Sequence, residues 1–225
     1  MGQNMAATTG CERERMADDT RNDVKDMPAG LAELVSRAGT GRGPAPVERW
    51  NPPYCGEIDM RIAADGRWYY QGGVIARERL VRLFASVLRR DADGHHYLVT
   101  PVERVRITVE DAPFLGVELH VEGEGREQVL RLRTNTGDVV RIDADHRLRF
   151  EDETDTGGLK PYVRIRGRLD ALLARPLLYQ LADLFTEHDM SGRTVMGTWS
   201  AGTFFPAETT PTPGSADERE PDTRA

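Results

Sequence analysis

Lysine is nearly absent from this 225-residue chain: of 30 basic residues only Lys25 and Lys160 are lysines, and the other 28 are arginines. Cysteine is scarce as well. Cys11 and Cys55 are the whole set and have no CxxC spacing, which excludes a disulfide framework. No run approaches the roughly 20 apolar residues that span a bilayer. The opening MGQNMAATTGCERERMADD carries acidic residues and no apolar stretch, unlike a secretion signal. Ala6 stands where a myristoylation signal wants Ser or Thr. Positive charge does not dominate either: 37 Asp+Glu outnumber the bases, for a net charge of −7, which excludes a nonspecific nucleic-acid coat. The expectation is a soluble, cytoplasmic, globular protein without a membrane role, from a GC-rich bacterial genome.

What is present divides into segments. Residues 1–53 read as a flexible tail, a short helix around Leu31, Leu34 and Val35, and a Gly/Pro linker (GTGRGPAPVERWNPP). Residues 54–94 read as a small domain. Glu57–Ala63 alternates, Ala64-Asp65-Gly66 turns, Arg67–Gln71 returns, and an amphipathic helix follows over Ala76–Arg89. Residues 95–186 read as seven short strands, His96–Thr100, Arg104–Val109, Phe114–Val121, Gln128–Thr134, Asp138–Asp143, His146–Glu151 and Tyr162–Gly167, closed by a helix over Ala171–Phe185. That element order is the one of a pleckstrin-homology-like barrel. Residues 187–225 form an extension with a strand near Trp199–Phe205 and a disordered end after 206. The expected fold class is therefore α+β: antiparallel sheets with amphipathic helices, a small N-terminal hairpin-plus-helix domain packed on a seven-strand pleckstrin-homology-like barrel. Ala76-Arg77 and Ala174-Arg175 each precede an apolar helix at an offset of 98, which either marks a duplication or is what any two amphipathic helices share.

Catalytic signatures are missing. Gly39-Thr40-Gly41-Arg42-Gly43 runs into Pro44 and lacks a strand–helix frame, so it is no phosphate loop. Gly197–Gly202 is one residue too long for a nucleophile elbow. The histidines 95, 96, 120, 146 and 188 form no metal-binding spacing, and neither a cofactor nor a metal is expected. Trp68-Tyr69-Tyr70 beside Arg61 and Arg67 either stacks on a planar ligand or turns alternate rings into the core. Polar groups gather at strand junctions: Thr100 and Glu103 beside Pro101, Asp111 beside Pro113, Asn135, and His146. They either make turns or converge on a ligand, and a Glu103–Asp111 pair would suit acid–base work.

The segments CGEIDMRIAADGRWYYQGGVIARERLVRLFASVLRR, HYLVTPVERVRITVEDAPF, LRLRTNTGD, DHRL, YVRIRGRLDALLARP and WSAGTFFP together resemble the bacterial domain-of-unknown-function family 1285, from about Cys55 to Phe205. The resemblance implies two domains with a duplicated core, a polar site at their interface proposed for a nucleotide-like ligand, a signalling role and no established enzyme activity. It points to Asp59, Arg61 and Arg77 in the first domain and to Thr100, Glu103, Asp111, Asn135, His146 and Arg164 in the second. Trp68 and Tyr70 join this shortlist as stacking groups. The expected ligand is a small nucleotide-like anion, and an Arg–carboxylate network that pins the domains without any ligand is the competing explanation. A protein- or peptide-binding scaffold and a hydrolase or transferase are the other function classes, and the oligomeric state is not legible. Charge supports a small anionic ligand. Residues 1–53 carry 7 basic and 8 acidic groups and 187–225 carry 3 and 7, which leaves 20 and 22 in an almost neutral, arginine-rich body.

Overall fold

A computed structural model describes residues 27–36, 44–153 and 157–208; the expected N-terminal tail, most of the C-terminal one, and Cys11 lie outside them. The chain divides into two compact units, Met1–Glu110 and Asp111–Ala225, mostly sheet with three α-helices among the described residues. The α+β, two-domain class follows. None of these helices is long and apolar enough to cross a membrane.

The first unit begins with α1 (Ala29–Ser36) and a 3-10 turn at Val47–Arg49. Six strands follow: β1 (Tyr54–Ile62), β2 (Trp68–Tyr70), β3 (Gly73–Val74), β4 (Leu88–Arg90), β5 (His96–Val99) and β6 (Arg104–Val109). Helix α2 (Glu78–Ser86) lies between β3 and β4 in sequence. The sheet order is β3-β2-β1-β6-β5-β4: two antiparallel meanders joined where β1 runs parallel to β6. Met60, Ile62, Trp68, Leu98, Val105 and Ile107 are buried on one face. Helix α2 turns Leu80 and Phe84 inward, and the Phe84 ring stacks 6.3 Å from Trp68.

The second unit repeats that connectivity. Its strands are β7 (Phe114–Glu122), β8 (Val129–Thr134), β9 (Val139–Arg141), β10 (Leu148–Glu153), β11 (Gly158–Arg166) and β12 (Leu169–Leu173). The order is β10-β11-β12-β7-β8-β9, again two meanders joined by one parallel pair, β12 with β7. Helix α3 (Arg175–Ala182) follows β12 and buries Leu177 and Leu181. A three-stranded sheet, β13 (Thr186–Met190), β14 (Arg193–Ser200) and β15 (Thr203–Pro206), docks through buried polar groups. The Leu130 amide donates to Ser200 Oγ, which donates to the Ile142 carbonyl, and Gln128 Nε2 donates to Thr198 Oγ1.

Two strand assignments differ from expectation. His96–Val109 belongs to the first sheet, because β5 pairs with both β4 and β6, and β6 pairs with β1. The division between the units therefore follows Glu110 instead of residue 94, and the second unit holds a six-stranded sheet plus a three-stranded one. The helices expected over Ala76–Arg89 and Ala171–Phe185 take in Leu88-Arg89 and Ala171–Leu173, yet these residues belong to strands β4 and β12. Short runs buried in a sheet have no period that separates them from a buried helix. The duplication also has a different frame. The helices at an offset of 98 are not equivalent, since α2 divides the first pair of meanders and α3 follows the second pair. The sheets are what repeats: Leu88↔Leu98 and Arg89↔Tyr97 in the first unit correspond to Leu148↔Val163 and Arg149↔Tyr162 in the second.

Candidate functional site

Alternation along β10 and β11 sends Leu148, Phe150, Val163 and Ile165 to the core and Arg149, Glu151, Lys160, Tyr162 and Arg164 to the other face. Cross-strand register brings Arg149 opposite Tyr162, Glu151 opposite Lys160, and Arg164 opposite Asp170. Asp170 sits under two guanidiniums, accepting from Arg149 Nη2 at 3.0 Å and from Arg164 Nε. Arg149 also pairs with Glu151 and covers the Tyr162 ring at 4.5 Å. Asp111 accepts from Lys160 Nζ at 2.8 Å and from the Tyr162 hydroxyl at 2.7 Å. His146 Nδ1 lies 3.0 Å from the Arg164 carbonyl oxygen, to which it donates as the N–H tautomer.

Two layers of charge result. The Asp170 and Asp111 side chains are 8% and 14% exposed, whereas those of Arg149, Lys160 and Arg164 are 32%, 33% and 38% exposed. Asp170 and Asp111 lie beneath the cations, and Glu151, as exposed as the Arg149 it pairs with, lies beside them. Burial works against the charge on Arg149, and Asp170 and Glu151 outweigh it to raise the guanidinium above its ordinary value. The hydrogen bond to Asp111 raises Lys160 against burial. Burial first, then Asp111, pushes the Tyr162 hydroxyl far up, so it stays a neutral donor.

The other sequence-predicted residues have separate roles. Asn135 is at the β8–β9 turn, where its Oδ1 accepts from the Leu115 amide at 3.1 Å. The same turn holds a buried cluster in which Arg166 and Thr136 donate to Asp138. In the first unit Trp68 is 1% exposed and belongs to the core; the ring beside Arg61 is Tyr69, 4.3 Å from its guanidinium. Arg61 pairs with Glu110, whose carboxyl is held below its ordinary value by the Ala64 amide and by Arg61. Asp59 is exposed on β1, Tyr70 is half-buried on β2, and Arg77 is half-buried at the start of α2. Thr100 and Glu103 are buried together. Thr100 Oγ1 accepts from the Glu103 amide, and Glu103 Oε1 accepts from the Leu31 amide at 2.9 Å, so this pair holds α1.

Within their own units Glu103 accepts from the Leu31 amide, and Asp111 accepts from Lys160 and Tyr162. Among the described residues no group of three or more His, Cys, Asp or Glu is placed to hold a metal ion. Sequence reasoning missed Arg149 and Lys160. Alternation of Lys160, Tyr162 and Arg164 was the available signal, but Pro161 hides it. Pro161 is tolerated because β11 pairs there with β10 only, its pairing to β12 starting at Tyr162.

The equivalent place in the first unit is closed. Arg89, paired with Tyr97, donates through Nη1 to the carbonyls of Val47 at 2.8 Å and Trp50 at 2.7 Å, and through Nε to Asp91 at 2.6 Å. Its side chain is 8% exposed. One device, an arginine paired across strands with a tyrosine whose hydroxyl donates to an aspartate, is covered by chain in one unit and open in the other.

Comparison with known proteins places these units in a family. The model described as "Domain of unknown function (DUF1285), N-terminal domain" matches residues 45–112, and the DUF1285 C-terminal domain matches 113–207. A crystal structure of a DUF1285 family protein from Silicibacter pomeroyi DSS-3 is 46% identical with a TM-score of 0.74, covering 82% of this chain and 97% of that one. Another, from Shewanella baltica OS155, is 29% identical with a TM-score of 0.46, covering 55% and 90%. No curated protein matches.

Proposed function

The chain belongs to the DUF1285 family, and from that premise we propose that it is a regulatory binding protein for a small, phosphate-bearing, nucleotide-like ligand held on the Arg149–Lys160–Arg164 row. The observation that carries this reading is the layering of charge: Asp170 and Asp111 fix three cations from behind and leave their outer edges accessible. A cation already held in place loses little freedom when an anion arrives. A guanidinium also forks onto two phosphate oxygens, which a lysine alone does not. Tyr162 is 5% exposed and offers no stacking surface, so the row suits the phosphate end of the ligand, with Glu151 available to a ribose hydroxyl. Binding would act by favouring one conformation of the chain for a signalling partner.

A second reading, a protein- or peptide-binding scaffold without a small ligand, draws on Val139 of the edge strand β9 and Tyr179 of α3, each 63% exposed. A thermal-shift panel of nucleoside mono-, di- and triphosphates, with inorganic phosphate as reference, separates the two. At 100-fold over its Kd a ligand stabilises by about 2.7 kcal/mol, which raises the melting temperature by several degrees. The rise is expected to vanish in Arg164→Ala/Lys160→Ala, read against that variant's own lower unliganded melting temperature, since Asp170 and Asp111 each lose a cationic partner. No shift across the panel, together with a stable protein complex, favours the scaffold.

A further inference from the structure

Helix α1 lies outside the residues that the family models match, yet it is seated on residues inside them. Its seat has three parts. The buried carboxylate of Glu103 accepts the Leu31 amide in the first turn, where a negative charge also meets the positive end of the helix. The Thr100 hydroxyl accepts the amides of Val102 and Glu103 and so fixes the turn that aims this carboxylate. Gly30 allows the close approach: a Cβ there would lie 2.7 Å from Thr100 Oγ1 and 2.8 Å from Glu103 Oε1. Leu31 is 0% exposed and Met27 9%, so an apolar anchor is inserted beside the polar one.

We propose that the Thr100–Glu103 turn and the adjoining part of α2 form a docking groove for a short helix, filled here by the chain's own α1. A partner helix of the same chemistry, with a glycine in its first turn followed by a buried leucine, would take the groove when α1 leaves. An eight-residue helix is marginal by itself, so α1 exists because it is docked, and its departure costs only that docking. The cis segment is a competitor at high effective concentration, which makes the groove self-blocked until α1 is displaced. This does not depend on the proposed nucleotide function.

The test uses the full chain and a fluorescent peptide of residues 27–36 followed by anisotropy. Gly30→Leu should expel α1, raise hydrogen exchange at the amides of residues 31–35, and bind the peptide at least tenfold more tightly than the unmodified chain. Leu31→Asp removes the anchor without touching the groove and should do the same, which guards against misfolding of the first variant. Adding Glu103→Ala to Leu31→Asp should weaken the peptide about tenfold. Peptide binding to neither variant, equal binding to the unmodified chain, or binding indifferent to Glu103 would overturn the groove.

Discussion

Arg89→Ala is expected to lower unfolding free energy by about 3 kcal/mol, whereas Arg149→Ala at the equivalent place in the second unit should cost about 1 kcal/mol. Removing Arg89 takes the donor from the Trp50 carbonyl, leaves the Val47 carbonyl with the Trp50 amide at 3.2 Å alone, and takes away one of the two arginines that hold Asp91. Arg104 keeps its bond to Asp91 at 2.7 Å, which limits the loss to a partly paired carboxylate. Among the described residues Arg149 bonds no main-chain carbonyl of that kind, and Asp170 retains Arg164 when it is removed. Denaturant melts of both variants measure the difference. Limited proteolysis should also find the segment around Val47 to Trp50 newly cleavable in Arg89→Ala. Equal costs would mean that the two devices have not diverged into a structural and an open form.

Gly197→Ala should be strongly disruptive for a single added methyl, costing about 3 kcal/mol and loosening the β14–β15 hairpin. A Cβ at Gly197 would lie 2.3 Å from the Phe205 carbonyl oxygen, 2.6 Å from Phe204 Cζ and 2.9 Å from Pro206 Cα. Two of these are backbone atoms paired in register, since Gly197 faces Pro206 across the strands, and backbone cannot step aside as a side chain does. The Phe204 ring also closes an aromatic cluster with His188 and Trp199, so displacing it strips the outer face of the small sheet. Gly116→Ala is the control: its nearest neighbours are the methyls of the buried Leu132, at 2.9 and 3.2 Å, side-chain ends that give more readily than backbone. Near-UV circular dichroism and melting temperature should report a large loss for Gly197→Ala and a small one for Gly116→Ala. The reverse order would contradict the tight crossing at β14–β15.

The elements with a clean period were legible in the sequence. Alternation with an Ala-Asp-Gly turn gave β1 and β2, and the leucine and phenylalanine spacing gave the helix whose core is α2. Elements buried on both sides were not. Ala171–Leu173 is apolar because β12 is central, flanked by β11 and β7, and that run merged with α3 into one apparent helix. The partition of strands between sheets depended on pairings such as Arg104 opposite Tyr54, which no local pattern encodes. Within the site, Arg164, Asp111 and His146 were identified by type and place, but their meeting runs through Arg149, Lys160, Tyr162 and Asp170, which only register brings together. Thr100 and Glu103 were recognised as unusual without any hint that their partner lies in a helix some 70 residues upstream.

An amide NMR titration of the isotope-labelled chain with adenosine and guanosine diphosphate, each against inorganic phosphate, tests the phosphate row most directly. Shifts concentrated at residues 148–153 and 160–173, saturating with one nucleotide and absent in Arg164→Ala/Lys160→Ala, are the predicted result. A saturating response confined to residues of the first unit, or no response at 148–173 from any nucleotide, would contradict a ligand held by Arg149, Lys160 and Arg164.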